Sequence, residues 1–206
     1  MSVVSLICPA TSVERIAEAW LPTERARFRI VGYRSRKLGE EFVALVLGSP
    51  RPSVPCLVRV HSQCMTGDIF GSVRCDCGRQ LDAALDEIVR AGEGVVVYQQ
   101  QEGRGIGILN KIRAYALQDL GLDTVEANLA LGFAADPRTY AECAAVLRDL
   151  GVARVRLMSD NPEKLRALEA AGLEIAERVA LRVAPHDGFA RYLETKREKL
   201  GHLIGL

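Results

Sequence analysis

The stretch 95–121, VVVYQQQEGRGIGILNKIRAYALQDLG, contains the succession of elements that decides the fold. It begins with a short apolar run at 95–98, which is typical of a buried strand. A glycine-rich turn follows at 101–107, and apolar residues then recur at helical spacing until Gly121. A strand that leads through a tight turn into a helix is the repeating unit of α/β domains.

The same alternation continues on both sides of this unit. Apolar runs at 54–61, 155–158 and 173–183 predict further strands, with residues at helical spacing between them. Two of the helices have clear start signals, because Asp136-Pro137 and Asn161-Pro162 each combine a capping side chain with a proline suited to the first turn. Both predicted helix starts are also candidate anion sites.

The first fifty residues are harder to assign. Residues 11–14 fit a capping box that would open a helix, whereas the alternation at 26–30 and the apolar run at 41–48 predict strands with more antiparallel character. At the other end of the chain, 191–200 predicts a charged terminal helix. No linker, repeat or low-complexity tract interrupts the sequence, so we expect residues 1–206 to form one layered α/β domain.

The overall charge excludes two broad classes of function. Lys and Arg number 27 and Asp and Glu number 26, which leaves a net charge of +1. This balance argues against a polybasic protein that binds nucleic acid or membranes, although it permits a local anion site. No run of about 18 apolar residues exists, and the N-terminus lacks the charged region of a signal peptide. We therefore expect a soluble, cytoplasmic protein with no nucleic-acid or membrane partner.

The cysteines fall into two groups. Six cysteines in 206 residues are too few for a disulfide scaffold. Three stand alone and are expected to be small buried apolar residues: Cys8, Cys56 and Cys143. The other three form a C-x10-C-x-C pattern, in which thiolates can converge on one soft cation, usually zinc: Cys64, Cys75 and Cys77.

The occupant of the fourth ligand position distinguishes a structural zinc site from a catalytic one. A closed structural site has four protein ligands, and His61 is the nearest candidate for the fourth. An open catalytic site has three protein ligands and leaves the fourth position to water. His61 shares one face of a predicted strand with Arg59, so it is also placed to serve the same pocket without touching the metal. The residue pattern leaves both arrangements open.

The turn at 101–107, QEGRGIG, is a candidate anion site, although a plain strand-to-helix turn would carry the same glycines. Its spacing is neither the dinucleotide fingerprint nor a P-loop. Two side chains favour a ligand, because Glu102 can accept hydrogen bonds from guanine and Arg104 can bind phosphate. Other basic residues near predicted loops suggest a polyanionic small molecule: Arg59, Arg74, Arg79, Lys111, Arg113, Arg138 and Lys164.

Taken together, these segments resemble the GTP cyclohydrolase II family. The matching stretches follow the family's order and span nearly the whole chain: RVHSQC at 59–64, TGD at 66–68, RCDCGRQL at 74–81, QEGRGIGILNKIRAYALQD at 101–119, DTVEAN at 123–128, LGFAADPR at 131–138, DNPEK at 160–164 and YLETKREKLGH at 192–202. The chain also begins and ends near the bounds of the cyclohydrolase alone, so we do not expect the extra domain of bifunctional relatives.

The resemblance implies a mixed β-sheet flanked by helices, a homodimer, and a hydrolase that uses zinc and magnesium with GTP as substrate. The guanine imidazole ring would open at C8 with release of formate and pyrophosphate. The implied product is 2,5-diamino-6-(5-phosphoribosylamino)pyrimidin-4-one, and the reaction is the first step of riboflavin biosynthesis. Two alternatives are a relative that keeps the formyl group or serves a secondary pathway, and an inactive GTP-binding zinc protein.

The resemblance also assigns roles to individual residues, and it treats 13–20 as a strand rather than a helix. It implies one zinc ion per chain in an open site on Cys64, Cys75 and Cys77. It makes Asp136 the proton acceptor, Arg138 the nucleophile toward the α-phosphate, and Tyr115 an aid to a late step near the purine. The GTP-contacting positions fall on Arg59, Val60, His61, Ser62, Gln63, Gln80, Glu102, Gly103, Arg104, Thr124, Ser159 and Lys164.

Three positions depart from the family's usual pattern. The family usually has glutamate where Gln63 stands, threonine at Ser159 and asparagine at Asp160. The last two changes are mild. Gln63 removes a negative charge directly before the first zinc ligand, so we expect it to affect the rate or the geometry around the metal rather than the fold.

Overall fold

Among the residues that the computed structural model describes, 12–184 and 186–203, seven strands form one mixed sheet. The strands are β1 (Val13–Pro22), β2 (Arg27–Ser35), β3 (Glu41–Leu47), β4 (Cys56–Ser62), β5 (Gly94–Gln99), β6 (Arg154–Met158) and β7 (Glu174–Val179). Their order across the sheet is β1-β2-β3-β5-β4-β6-β7. Neighbours from β1 to β5 are antiparallel and neighbours from β5 to β7 are parallel, which confirms the mixed sheet and its antiparallel N-terminal part.

The first strand stands where the capping box predicted a helix start. Residues 13–22 pair with β2, with Trp20 opposite Arg29, so the helix start at 11–14 is wrong and the strand at 13–20 is confirmed. Most of β1 is exposed. The backbone ladder to β2, rather than an apolar stripe, therefore holds it in the sheet. Thr11 and Cys8 lie outside the described residues.

The described residues also form seven α-helices, which flank the sheet: α1 (Met65–Asp68), α2 (Cys77–Ala91), α3 (Ile108–Asp119), α4 (Thr124–Ala130), α5 (Ala141–Asp149), α6 (Pro162–Ala170) and α7 (Ala190–Leu200). On one face of the sheet, Leu147 of α5 and Leu168 of α6 share a buried cluster with Val97. On the other face, Ile88 of α2 belongs to a second cluster with Val96. Within the part of the chain that is described, no helix has the length and apolar character needed to cross a membrane.

The two predicted proline-containing helix starts have different outcomes. Asn161 caps α6 as predicted, since its Oδ1 accepts from the amide of Glu163 at 2.9 Å. The predicted start at Asp136-Pro137 is wrong, because α5 begins only at Ala141. The Asp136 carboxylate does accept from the backbone amide of Arg138, as a capping side chain would, but it also accepts from the guanidinium of Arg138. An anion at this position would therefore not face the N-terminus of a helix.

Two further boundaries differ from the sequence prediction. The short helix α4 was not predicted, although Asp123 and Glu126 form a capping box at its start. The last strand, β7, ends at Val179, so the predicted strand at 173–183 is too long. The terminal helix predicted at 191–200 is confirmed as α7.

The parallel half of the sheet brings the candidate functional residues together. The carboxyl ends of β5, β4 and β6 lie side by side, and ligands of α/β sheets bind outside that edge. The chain leaves β4 into 63–64, β5 into 100–105 and β6 into 159–161. These three segments hold many of the residues that the sequence singles out.

Candidate active site

The three clustered cysteines converge at this edge of the sheet. Cys64 follows β4, while Cys75 and Cys77 lie at the start of α2. Their Sγ atoms all lie within 4.8 Å of one another, and those of Cys64 and Cys75 are 3.5 Å apart. Hydrogen bonds from Cys75 and Cys77, together with the charge of Lys111, lower the pKa of the Cys64 thiol. The cluster thus favours a thiolate at its centre.

The space around the cluster suits a metal ion. A Cβ atom at Gly67 would lie 3.2 Å from the Sγ atoms of both Cys64 and Cys75, so only glycine leaves this side of the cluster free. Three convergent thiolates are the ligands that soft metal ions prefer. Over the described residues, this is the one group of three or more His, Cys, Asp or Glu side chains that could hold a metal. Cys56 and Cys143 are buried away from it, as predicted.

His61 lies beside the cluster rather than in it. Its Nε2 atom is 3.1 Å from both carboxylate oxygens of Asp68, and its ring stacks on Tyr98. Asp68 also accepts from the backbone amide of Cys64 at 3.0 Å and from the hydroxyl of Tyr98 at 2.9 Å. Asp68 therefore links His61, through hydrogen bonds, to the backbone at Cys64. This geometry favours an open three-thiolate site over a closed one.

Lys111 and Glu102 form a buried ion pair against the cluster. The Lys111 ammonium donates to Oε1 of Glu102 at 2.7 Å and to Sγ of Cys64 at 3.1 Å. The Glu102 carboxylate also accepts from the backbone amides of Met65 and Gly103, at 2.6 and 2.8 Å. A carboxylate offers about four lone-pair positions. Glu102 therefore retains one free acceptor position for a substrate hydrogen bond.

Arg104 occupies a strained backbone conformation in the glycine-rich turn. Its φ is 61°, and it is the one non-glycine residue with positive φ among those described. Such a conformation costs about 1–2 kcal/mol for a residue with a side chain. The side chain is buried, yet Nη1 and Nη2 have no hydrogen-bond partner among the described residues. An unpaired buried guanidinium on a strained backbone is typical of a residue kept for ligand binding.

Arg104 lines two neighbouring cavities, which also share Ser62, Cys77, Arg138 and Tyr192 in their walls. One, which we call the cysteine cavity, is lined by the cysteine cluster, Glu102 and Lys111, and the other is lined by many cations. We call the second cavity the cation pocket. The acidic and basic side chains that line the cation pocket are Arg59, Asp76, Arg104, Arg138, Asp160, Lys164 and Lys196. Five of these are basic and two are acidic, so the pocket suits an anion with several charges.

The pKa of Lys164 responds to the other basic side chains of the cation pocket. Its side chain is 5% exposed, and its ammonium donates to the carbonyl of Val60 at 2.8 Å. Burial, followed by the charges of Arg59, Arg138 and Lys196, lowers the pKa of Lys164 well below its usual value. An anion in the pocket would offset this repulsion. Val60 itself contributes only backbone, because its side chain belongs to the core.

A chain of hydrogen bonds fixes Arg59 in the same pocket. Its guanidinium donates to the carbonyl of Met158 at 2.8 Å and to Oε1 of Gln80 at 2.6 Å. The Gln80 amide donates in turn to Oδ2 of Asp76 at 2.7 Å, and Asp76 also accepts from Lys196 at 2.7 Å. The structure thus brings the sequence-predicted pair Arg59 and Gln80 together.

Asp136 and Arg138 form a two-pronged ion pair next to the pocket. The Nε and Nη2 atoms of Arg138 donate to the two oxygens of Asp136 at 2.8 and 2.5 Å. Both side chains are largely buried, with 20% and 13% of their surface exposed. Burial opposes the charge on Asp136, but the hydrogen bonds and charge of Arg138, together with the charge of Arg104, outweigh it and lower the carboxyl pKa. The pair therefore presents a fixed guanidinium toward the pocket that Arg138 lines.

The other sequence-predicted residues lie around the same two cavities. The hydroxyl of Tyr115 is 3.1 Å from Oγ1 of Thr66 in the cysteine cavity, which Gln63 and Thr124 also line. The Ser62 hydroxyl lies 3.4 Å from Nη1 of Arg138. Ser159 lines the cation pocket, where its hydroxyl accepts from the backbone amide of residue 161.

Several residues of the site were not singled out by the sequence prediction: Asp68, Asp76, Tyr98, Tyr192, Lys196 and His202. Asp68 and Asp76 stood within matched stretches, but nothing in their spacing shows that one orients a histidine and the other links α2 to α7. Tyr192, Lys196 and His202 stood in the matched stretch 192–202. Their clustering with Lys164 and Arg104 depends on the return of α7 to the sheet edge, which spacing along the chain does not reveal.

Comparison with known proteins adds an independent line of evidence. A family model described as GTP cyclohydrolase II matches residues 14–180. GTP cyclohydrolase-2 of Histophilus somni (strain 2336) is 52% identical over 194 residues, which cover 94% of this chain and 90% of that protein. GTP cyclohydrolase-2 of Pasteurella multocida (strain Pm70) is 52% identical over 93% of this chain and 88% of that protein.

A longer relative matches over part of its own length. The riboflavin biosynthesis protein RibBA of Bacillus subtilis (strain 168) is 52% identical over 195 residues, which cover 94% of this chain and 49% of that protein. The family model, the extent of these matches and the converging cysteines agree: the chain belongs to the GTP cyclohydrolase II family of enzymes.

Proposed function

We propose that this enzyme hydrolyses GTP in a zinc-dependent reaction and releases formate and pyrophosphate. The product would be 2,5-diamino-6-(5-phosphoribosylamino)pyrimidin-4-one, as in the first step of riboflavin biosynthesis. The observation that carries the proposal is that the cavity of the thiol cluster and the cation pocket share wall residues, among them Arg104. A purine nucleotide with several phosphates has the two chemically distinct ends that such a divided site would accept.

Cys64, Cys75 and Cys77 would hold one zinc ion per chain, and zinc, when bound, supplies Lewis-acid activation of water near neutral pH. Lys111 places a positive charge 3.1 Å from Cys64 and so offsets the negative charge of three thiolates. Glu102 has one acceptor position left and would orient the guanine through its N–H groups. Magnesium would accompany the phosphates, as it does in other sites that bind nucleoside triphosphates.

The overall reaction balances with water alone. One water adds to C8 of guanine and opens the imidazole ring through loss of a C8–N bond, which leaves a formyl group on nitrogen. A second water releases that group as formate. A third water hydrolyses the bond between the α- and β-phosphates, so that pyrophosphate leaves and one phosphate remains on the ribose.

We propose separate roles for the residues at the two ends. Arg104, Arg59, Ser159 and Lys164 would bind the phosphates. Arg138 would act at the α-phosphate, with Asp136 as the acceptor of its proton, since the two side chains are already joined by two hydrogen bonds. In the cysteine cavity, Tyr115 would lie near the purine and assist a late step, while Gln63 and Thr124 would contact the base.

Residues 1–206 are proposed to act as one cytoplasmic domain that assembles as a homodimer. Leu109, Ile112 and Leu120 support the dimer, because 73%, 54% and 80% of these large apolar residues is exposed along α3 and at its end. A second copy of the chain would cover them. Sedimentation of the wild type beside Ile112→Glu tests this proposal: a dimer that dissociates on substitution supports it, and a wild-type monomer contradicts it.

Identification of the products by mass tests the reaction. The protein is incubated with GTP, zinc and magnesium, and the products are separated and weighed. We expect the diaminopyrimidine product without its formyl group, together with formate and pyrophosphate. A formylated product would identify an enzyme that stops after ring opening, and unchanged GTP would identify an inactive binding protein.

A further inference from the structure

The C-terminal helix α7 supplies part of the wall of the cation pocket. Tyr192 and Lys196 of α7 line this pocket, and so does His202 just after the helix. The segment is held there by backbone hydrogen bonds from His202 to the carbonyl of Lys196 and from Leu203 to the carbonyl of Asp160. Residues far from the rest of the site in sequence therefore close one side of the pocket.

Lys196 stands out within this wall because it is a buried cation with spare donors. It is 7% exposed, and its Nζ donates to Oδ1 of Asp76 at 2.7 Å. Over the described residues this is its one hydrogen bond, whereas an ammonium group has three donors. The ring of Tyr192 lies 4.5 Å from Nζ and covers another side of the ammonium group. Asp76 therefore fixes the charge in place without using all of its donors.

The basic side chains around Lys196 outnumber the carboxylates that line the same pocket. Asp76 can balance one cation, and Asp160 pairs with Arg178. Arg59 and Lys164 donate to neutral acceptors, and both terminal nitrogens of Arg104 have no partner among the described residues. Several cations thus face one cavity without matched anions, an arrangement that favours a bound polyphosphate.

We propose that Lys196 is a phosphate-binding residue, which the C-terminal helix contributes to the site and Asp76 positions. The inference rests on the proposed function, since it takes the cation pocket as the site of the GTP phosphates. Lys196 would donate its remaining hydrogen bonds to phosphate oxygens beside Arg104 and Lys164. If instead Lys196 served only to anchor α7, its loss would weaken every ligand of the site to the same extent.

Two inhibitors separate these roles: inorganic tripolyphosphate, which carries only the phosphate chain, and guanosine, which lacks it. Their inhibition constants against GTP turnover are measured for the wild type and for Lys196→Met. We expect the constant for tripolyphosphate to rise about tenfold or more and that for guanosine by less than about twofold. Lys196→Arg keeps the charge and should therefore weaken tripolyphosphate less than Lys196→Met does.

The controls distinguish the possible failures. Arg197→Met removes an exposed cation of the same helix and should change neither constant. Equal losses for both inhibitors, or an unchanged constant for tripolyphosphate in Lys196→Met, would overturn the role of Lys196 while Arg104→Met still weakens tripolyphosphate. A wild type that tripolyphosphate does not inhibit would overturn the phosphate assignment of the pocket itself. If Lys196→Met does not fold, Lys196→Gln replaces it in the same comparison.

Discussion

The ammonium group of Lys111 lies 3.1 Å from the Sγ atom of Cys64, inside the protein and away from bulk water. It also donates to Glu102 at 2.7 Å, so one cation serves both a cysteine of the cluster and a buried carboxylate. Charges in such surroundings interact far more strongly than on the surface. Lys111 therefore links the stability of the glycine-rich turn to the chemistry of the cysteine cluster.

Replacement of Lys111 by methionine is expected to lower both the stability of the protein and the binding of zinc by the cysteine cluster. Glu102 would remain buried without its cation, which destabilises a protein by about 3–5 kcal/mol. The cluster would also lose the charge that favours its thiolates, so the zinc content should fall. Thermal melting and metal analysis of Lys111→Met measure the two effects. Arg113→Met removes an exposed cation of the same helix and should leave both unchanged; similar behaviour of the two variants would contradict the account.

Arg104→Gly should separate stability from binding. Glycine adopts a φ of 61° without the steric cost that arginine bears, and the substitution removes an unpaired buried guanidinium. The relief of about 1–2 kcal/mol offsets the extra freedom of glycine in the unfolded chain, so the melting temperature should not fall. The KM for GTP should rise about tenfold or more. A marked loss of stability with normal KM would assign Arg104 to the architecture instead.

The ion pair of Asp136 and Arg138 predicts a pH-dependent stability difference. Because the pair lowers the carboxyl pKa of Asp136, it stabilises the wild type above the unfolded value near 4, and this contribution is lost as the pH falls through the folded value. In Arg138→Ala the buried carboxylate stands alone, and its pKa rises. The variant should therefore be destabilised by about 3 kcal/mol at pH 7 and by less near pH 4.5.

Urea unfolding at the two pH values measures this difference, and the double variant Asp136→Asn/Arg138→Ala is its control. Removal of both charges should restore part of the stability at pH 7. Pyrophosphate release from GTP should be lost in Arg138→Ala. A loss of stability that is independent of pH, together with near-normal pyrophosphate release, would reduce the pair to a local structural contact.

Tyr115→Phe tests the proposed role of the hydroxyl group. The change removes the contact with Thr66 but keeps the ring, so the stability should fall by only about 1 kcal/mol. If the hydroxyl assists a late step, a ring-opened intermediate should accumulate in the product mixture. An unchanged product composition would leave Tyr115 as a packing residue in the cysteine cavity.

The sequence predicted those parts of the fold that local patterns determine. The apolar run of β5, the helix that ends near Gly121 and the cap at Asn161 depend on neighbouring residues, and all were found. Asp136-Pro137 failed as a helix start although the Asp136 carboxylate accepts from the amide of Arg138, as a capping side chain would, because the chain becomes helical only at Ala141. A capping bond alone does not propagate a helix.

The candidate site could be predicted only in part, because some of its features depend on contacts between segments that are distant in sequence. The spacing of the cysteines and the glycine-rich turn pointed to a metal and an anion. The strained backbone of Arg104 and the link from Asp76 to Lys196 depend on contacts between distant segments. Residues 76 and 196 are brought together only because α7 returns to the carboxyl edge of the sheet.

Zinc and formate measured together in Cys75→Ser test the central claim most directly. The account predicts one zinc ion per chain in the wild type and formate release from GTP. Cys75→Ser should lose both, because a hydroxyl replaces one of three thiolate ligands. Cys143→Ser, which changes a buried cysteine outside the cluster, should keep both. One equivalent of zinc with normal formate release in Cys75→Ser would contradict the three-thiolate site.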